Sequence, residues 1–161
     1  MSIITETLES RLNPDQIIII DALLRFERES RPETRFIMEN SNYFMYNESE
    51  KTLMLSAIAV DCLTQKQNQV VLYLTSNQNK VNDIFNSIQS AIDYVWTGEY
   101  ISQLEDCRLD INTNYLLVRS IYDHFTTRPT YVLMDNIRSI PIDTFIQTKR
   151  YESRAKILIK L

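Results

Sequence analysis

Three short runs of apolar residues constrain the fold of this chain more than any other feature of its sequence. They cover residues 70–74, 115–118 and 130–134, and the last run ends at Asp135. An unbroken apolar run of about four to eight residues is typical of a strand whose two faces are both buried, as in a parallel sheet. A further strand is predicted over residues 155–161. Together they predict an α/β fold: a three-layer, mainly parallel sheet with helices on both faces.

The segments between these runs carry apolar residues at helical spacing. Helices are predicted over residues 13–29, 50–65, 79–95, 100–105 and 142–148, and short strands over residues 35–39 and 43–46. The first helix is predicted to begin at Asn13, because this N-cap residue is followed by Pro14 at the first helical position, and Gln16 can reach back to the cap. Strands that alternate with helices favour a parallel sheet.

The composition indicates one domain over residues 1–161. Of the 161 residues 44% are apolar, enough for a single core, and no linker rich in Gly, Ser or Pro divides the chain. The 17 basic and 21 acidic residues give a net charge of -4, so broad electrostatic capture of nucleic acid is not indicated. No apolar stretch approaches the roughly 20 residues that span a bilayer, and the first residues do not form a signal sequence. We therefore expect a cytoplasmic protein without a membrane partner.

The two cysteines, Cys62 and Cys107, lie in no disulfide or metal-binding pattern. We expect neither a disulfide framework nor a zinc site. The many Ile and Asn residues beside a single Gly are compatible with an AT-rich genome, such as that of a virus.

Four short motifs follow one another in a particular order. Residues 12–16 read Leu-Asn-Pro-Asp-Gln, Lys51 and Thr52 open a long apolar helix, residues 70–76 form a strand and a polar turn, and residues 132–135 form an apolar strand that ends in Asp. In this order and spacing the chain resembles the first RecA-like ATPase domain of superfamily-one helicases. More loosely, it resembles the ATPase domain of large viral terminases. Both belong to the P-loop NTPase-like class of folds.

The resemblance implies roles for particular residues. It implies that Gln16 contacts adenine, that Lys51 and Thr52 contact the phosphates, and that Asp135 is the Walker B residue that holds magnesium. It also implies a glutamate directly after Asp135 as the residue that orients the attacking water, but position 136 is Asn. The amide of Asn136 cannot accept a proton as a general base does.

The phosphate loop departs further from the family pattern. A loop of the form G-x-x-x-x-G-K-[ST] uses its glycines to bring backbone N–H groups against the phosphates. The only glycine of this chain is Gly98, far from Lys51, and the residues before Lys51 include Glu48 and Glu50. These carboxylates would repel a triphosphate. We therefore predict vestigial sites: a nucleotide site at Gln16, Lys51 and Thr52, and a Walker B site at Asp135 and Asn136, with no catalytic residue.

Simpler roles remain open for the same residues. Glu48 and Glu50 complement the positive end of a helix. Asp135 followed by Asn also suits an ordinary turn. Near the C-terminus, residues 149–156 hold four basic side chains, a pattern typical of a solvated face.

The leading hypothesis is a catalytically inactive, helicase- or terminase-like ATPase-fold domain of viral origin, which binds and regulates a protein or a nucleic acid without a cofactor. One alternative is a nucleotide-binding protein or NTPase that takes ATP and Mg in an unorthodox loop over residues 47–52. A second alternative is a structural or assembly protein that forms homo-oligomers. A third is a single-strand nucleic-acid binder. We expect a location in the host cytoplasm or the virion.

Overall fold

The structure, a computed structural model, describes residues 14–29, 34–38, 48–123, 126–135 and 142–161. Within these ranges the helices are α1 (Pro14–Glu29), α2 (Glu48–Gln65), α3 (Val81–Val95) and α4 (Ile142–Glu152). The strands are β1 (Phe36–Met38), β2 (Val70–Thr75), β3 (Ile101–Gln103), β4 (Arg108–Ile111), β5 (Asn114–Ser120), β6 (Tyr131–Asp135) and β7 (Ile157–Lys160). Short 3-10 turns occupy Gln78–Lys80 and Leu104–Asp106.

The strands form one sheet in the order β1-β7-β6-β2-β5-β4-β3. The first five strands of this order, which are β1, β7, β6, β2 and β5, are parallel to one another. Strand β4 pairs antiparallel with β5, and β3 pairs antiparallel with β4. In register, Thr75 at the end of β2 pairs with Ser120 on one side and Asp135 on the other. The carboxyl ends of the three central strands therefore lie together at one edge of the sheet.

Helices α1, α2 and α3 pack on one face of the sheet, and α4 on the other. On the first face, Val71 and Tyr73 of β2 join the larger apolar cluster, whereas Leu72 and Leu74 join a second cluster on the α4 side. The second cluster consists of Leu72, Leu74, Leu117, Ile121, Val132, Met134, Ala155 and Leu158, with Tyr151 of α4 packed against it. Burial of both faces explains why β2 is an unbroken apolar run. The predicted α/β fold, with a mainly parallel sheet and helices on both faces, is confirmed.

Helix α2 lies at the centre of the first face. Every residue from Met54 to Thr64 is buried, which accounts for its lack of a single apolar stripe. Ile20 and Leu23 of α1 belong to the same cluster, so α1 packs in the same layer as α2. None of the helices in the described ranges combines the length and the apolar content that crossing a bilayer requires.

One predicted element is wrong. The helix expected over residues 100–105 is instead β3 followed by a 3-10 turn. Ile101 and Gln103 pair with Asp110 and Arg108 of β4, which satisfies their backbone groups across the strands rather than along a helix. Cys107 then takes a left-handed conformation with φ of 44°, which reverses the chain between the two strands.

Strand β4 was not predicted from the sequence. Its pattern alternates, with Leu109 and Ile111 buried and with Arg108 and Asp110 partly exposed. Such alternation is typical of a strand with one solvated face, and it differs from the apolar runs on which the other predictions depended. A tight turn with Asn112 at a φ of 51° joins β4 to β5.

The remaining predicted helices and strands differ from the observed ones mainly in the residues at which they begin and end. Helix α2 includes Glu48, two residues before the predicted start, so residues 48–52 form the start of the helix and not a loop. Helix α4 continues to Glu152, beyond the predicted end at residue 148. Asn13 and the strand predicted over residues 43–46 lie outside the described residues.

Candidate functional site

The candidate site lies at the carboxyl edge of β2, β5 and β6, where ligands bind in open α/β sheets. Thr75 and Ser120 are fully buried and Asp135 is 1% exposed. Paired residues of neighbouring parallel strands project to the same face, and residues two apart on a strand share a face. Tyr73, Thr75 and Asp135 therefore all face α2.

Asp135 accepts two hydroxyl groups on one oxygen. The Tyr73 hydroxyl donates to Oδ2 of Asp135 at 2.6 Å, and Thr52 Oγ1 of α2 lies 3.4 Å from the same oxygen. An O–H···O⁻ bond of about 2.6 Å is charge-assisted and strong, whereas a separation of 3.4 Å is at the limit for a hydrogen bond. Asp135 is thus held firmly from β2 and loosely from α2.

Lys51 lies directly before Thr52, in the first turn of α2. Its side chain is almost completely buried, at 4% exposure. No ion pair joins Lys51 to a carboxylate whose side chain the structure describes, a set that leaves out Glu48 and Glu50. The first N–H groups of a helix lack intrahelical partners and give this end a partial positive charge. The corner beside Asp135 thus has one cationic residue, Lys51, and two acidic residues of the same helix start, Glu48 and Glu50.

The turns after β2 and β5 complete the edge. Thr75 Oγ1 accepts the N–H of Asn77 at 3.3 Å, and Oδ1 of Asn77 accepts the N–H of Asn79 at 3.0 Å. Asp123 Oδ2 accepts the N–H of Ser120 at 3.0 Å. Thr75 is the last residue of β2, and Asn77 lies in the turn that follows this strand.

The structure describes the side chains of only some of the predicted site residues. It brings Thr52 and Asp135 together, with Lys51 adjacent to Thr52 in the chain. Gln16 lies in α1, with its side chain outside the described part, and Asn136 is outside the described residues. The adenine contact expected of Gln16 and the role expected of position 136 stay predictions.

Sequence reasoning missed Tyr73. It lies within an apolar run and was assigned to the core, where its ring is indeed fully buried. A signal was present, because Tyr73 is the one residue with a polar group in the run of residues 70–74 and lies two residues before the strand end. A buried tyrosine hydroxyl usually finds a hydrogen-bond partner. Its partner, 62 residues away, is visible only in the folded chain.

The donor atoms at this corner suit magnesium. Mg²⁺ prefers oxygen ligands, keeps several waters, and is usually bound by one or two protein oxygens together with phosphate oxygens. Thr52 and Asp135 supply a hydroxyl and a carboxylate. Within the described ranges, no group of three or more His, Cys, Asp or Glu residues could hold a metal. Magnesium at Asp135 would therefore depend on ligands that the described side chains do not provide, such as phosphate oxygens.

A second polar group, the Glu27 cluster (Glu27, Asp61, Cys62, Lys66 and Tyr131), lies near the start of β6 and thus at the opposite edge of the sheet. Glu27 of α1 accepts the Tyr131 hydroxyl and forms an ion pair with Lys66 at 2.5 Å. Burial raises the pKa of Asp61 to about 6, an effect that Lys66 opposes and Glu27 reinforces. Burial also raises the pKa of Cys62 and Tyr131. The hydrogen bond and the ion pair join α1 to β6 and to the end of α2, which is a structural role.

Comparison with known proteins relates the fold to the large terminases of two bacteriophages. The sequence matches no protein-family model and no curated protein sequence. Among solved structures, the large terminase of bacteriophage HK97 superposes with a TM-score of 0.67 at 15% identity, covering 93% of this chain and 33% of the terminase. The large terminase of the thermophilic bacteriophage D6E gives a TM-score of 0.60 at 13% identity, covering 92% of this chain and 38% of the terminase. The same terminase in complex with ATP-γ-S gives 0.59 at 12% identity, with 92% and 37% covered.

These likenesses concern the fold. The chain spans about a third of the length of the terminases it matches. The predicted RecA-like, P-loop NTPase-like and terminase-like fold is confirmed, while the more specific resemblance to helicases stays a prediction. The elements that carry Lys51, Thr52 and Asp135 thus belong to a terminase-like fold.

Proposed function

We propose that this chain is a terminase-like ATPase-fold domain, of viral origin, that does not turn over nucleotide and acts as a binding and regulatory module. The observation that carries the proposal is the bonding of Asp135. Its Oδ2, the oxygen beside Thr52, already accepts the short bond from the buried Tyr73 hydroxyl. This bond engages the carboxylate that the resemblance assigns to magnesium.

The neighbouring sequence supports the same conclusion. Position 136 is Asn, and an amide cannot serve as general base. No glycine precedes Lys51, so the chain before α2 lacks the residue that most readily brings backbone N–H groups against phosphates. Hydrolysis requires a phosphate loop, a general base and a carboxylate that binds magnesium. The sequence lacks the first two at the expected positions, and the third, Asp135, is engaged by Tyr73.

What remains at the corner would suit an alternative role, nucleotide binding without hydrolysis. Lys51 would contact a phosphate, and Thr52 and Asp135 would hold a magnesium ion, which supplies charge neutralisation to bound phosphates. The D6E terminase of similar fold is known in complex with ATP-γ-S, which supports a nucleotide as the ligand class. The rigid sheet and the turns at its carboxyl edge then provide a surface for a protein partner or, alternatively, for nucleic acid.

A turnover assay tests this proposal. Purified protein with ATP and Mg²⁺ should release no phosphate above the buffer rate, and Lys51→Ala should behave in the same way. Phosphate release by the unmodified chain that Lys51→Ala abolishes would contradict the proposal. The substitution separates activity of this domain from that of a contaminating ATPase.

A second candidate function is a nucleotide-binding switch without hydrolysis. It is favoured by the burial of Lys51 with no carboxylate paired to it in the described part of the chain. Calorimetric titration with ATP and Mg²⁺ separates the two functions. Heat of binding that disappears in Lys51→Ala supports the switch, and the absence of heat supports a module that binds its partner without a cofactor.

A further inference from the structure

One edge of the sheet ends in the strand β3. Within the described ranges, no strand pairs with β3 on the side away from β4. All three residues of β3 are exposed, and Ile101 has 64% of its surface open to solvent. We propose that this edge docks an extended segment of a partner protein that carries basic side chains beside apolar ones. The inference goes beyond the proposed function, because it uses no residue of the corner at Asp135.

The register of the neighbouring strands shows which backbone groups of β3 are open. The N–H of Val118 in β5 donates to the carbonyl of Cys107 at 3.1 Å, just outside the pairing of β4 with β5 at Arg108. Arg108 is therefore at a non-hydrogen-bonded position toward β5, and its own N–H and C=O point toward Gln103, its partner in β3. The same alternation turns the N–H and C=O of Ser102 away from β4. They are directed to the open side, where an added strand takes up such groups.

The side chains of β3 divide between the two faces of the sheet. Ser102 Oγ donates to Oε1 of Gln89 in α3 at 3.0 Å, so Ser102 faces the helices on the first face. Ile101 and Gln103 face the other way and, with Leu117, help to line a groove of about 450 Å³. An added strand would thus meet polar atoms on one face and the apolar side chain of Ile101 on the other. This arrangement suits a segment in which polar and apolar residues alternate.

The charge around β3 is negative. Residues 81–107, from the start of α3 to the turn before β4, contain five acidic residues and no Lys, Arg or His. Glu99 lies before the strand and Glu105 and Asp106 follow it, and all three are exposed. The groove on the other face holds two acidic and two basic residues, so the excess of negative charge lies at the ends of β3. Charge of this sign attracts Lys and Arg side chains and repels nucleic acid.

A second copy of this chain is the main alternative occupant. Antiparallel pairing of two β3 strands about Ser102 would bring Glu99 of each copy towards Glu105 of the other. Like charges opposite one another in neighbouring strands are destabilising. Charged residues beside a short edge strand also protect proteins against such self-pairing. The acidic residues therefore disfavour a second copy, and they favour a basic segment.

Fluorescence anisotropy of the full chain with a labelled peptide tests the inference. The probe is a peptide of about seven residues in which lysine and valine alternate, the shortest length that spans β3 and both of its ends. It should bind, with an affinity that falls as salt is added. The same peptide with glutamate in place of lysine should not bind. The lysine peptide with N-methyl groups on alternate backbone nitrogens keeps its charge but cannot pair as a strand, and it should bind about tenfold more weakly.

Variants of the protein separate strand pairing from charge. Ser102→Pro removes the outward N–H at an edge position where proline is tolerated, and it should weaken binding about tenfold. Ser102→Ala loses only the hydroxyl and should bind as the unmodified chain does. Glu99→Gln combined with Glu105→Gln should weaken binding about fivefold. The matched control, Asp21→Asn combined with Glu29→Gln, makes the same change of net charge on α1, which packs near β1 at the opposite edge of the sheet, and should leave the affinity unchanged.

Absence of binding by the lysine peptide overturns the inference, because the acidic residues then only protect the edge. Binding that survives both N-methylation and Ser102→Pro also overturns it, since charge alone then accounts for the affinity. A dimer of the unmodified chain in sedimentation that Ser102→Pro makes monomeric would assign the edge to a second copy instead. If Ser102→Pro does not fold, as judged by its melting curve, the N-methylated peptide decides. Phosphate release, which decides the proposed function, is independent of all these outcomes.

Discussion

The hydroxyl of Tyr73 and the carboxylate of Asp135 form a 2.6 Å hydrogen bond between the neighbouring strands β2 and β6. Both residues are buried, and Tyr73 belongs to the larger apolar cluster. A charged acceptor in such a place is stable only because donors face it. The bond therefore links the stability of the core to the chemistry of the carboxyl edge.

We expect Tyr73→Phe to destabilise the fold. The change leaves packing nearly intact but removes the short donor to Asp135, so the free energy of unfolding should fall by about 1 to 3 kcal/mol. Urea denaturation followed by circular dichroism measures the loss. An unchanged midpoint would show that Asp135 does not depend on this bond.

Lys51 should be unfavourable for stability in the absence of a ligand. It is buried, and none of the described carboxylate side chains, which leave out Glu48 and Glu50, forms an ion pair with it, so burial of its charge costs free energy. Lys51→Met should raise the free energy of unfolding by about 1 kcal/mol. The matched control is Lys66→Met, which removes the 2.5 Å ion pair with Glu27. This change should lower the free energy of unfolding by about 2 kcal/mol. Equal effects of the two changes in thermal melts would contradict this account.

Stability should depend on pH through Asp61. Burial raises its pKa from 3.8 in the unfolded chain to about 6 in the folded protein. The folded state therefore binds more protons between these values, and the free energy of unfolding falls as pH rises from about 4 to 6. The loss is on the order of 2 to 3 kcal/mol. Asp61→Asn should abolish this part of the pH dependence in melts between pH 4 and 8, and parallel curves for the two proteins would refute the assignment.

Asn114 should be among the polar residues most sensitive to substitution. Its side chain is 1% exposed, accepts the N–H of Gln69 at 2.8 Å, and donates to the carbonyls of Leu63 and Lys66 at 3.1 and 2.6 Å. Asn114→Asp keeps the shape but loses both donors, and should cost about 2 to 4 kcal/mol. Asn112→Gly, at a turn residue with a φ of 51°, should be nearly neutral and serves as the control in the same denaturation series.

The sequence predicted those parts of the fold whose cause is local. Strand β2 could be predicted because burial on both faces requires an unbroken apolar run, and α1 because a proline marks its start. Strand β4 was missed because one face is solvated, so polar residues interrupt its pattern. The helix predicted over residues 100–105 was wrong because pairing with β4 decides that segment.

The residues of the candidate site were likewise predictable only where the signal lies in one segment of the sequence. Lys51 and Thr52 could be selected because the resemblance to RecA-like ATPase domains places the Lys-Thr pair of a phosphate loop there, and Asp135 because it ends a buried strand. The contact of Tyr73 with Asp135 could not be predicted, since it depends on which strands become neighbours. Strand order is a property of the whole sheet and is not encoded in any single segment.

The parallel pairing of β1 with β7, at one edge of the sheet, affects the order in which the chain can fold. Strand β1 pairs in register with β7, from Phe36 against Ile157 to Met38 against Ile159, and β2 finds its neighbours only at Tyr115 and Tyr131. Such distant partners place the domain among slow folders, because long loops must close before strand pairing compensates for the lost chain entropy. On the ribosome, β1 lacks its partner β7 until the segment around residue 157 has left the exit tunnel. Among the strands that the structure describes, the earliest in the sequence must wait for the one furthest along it.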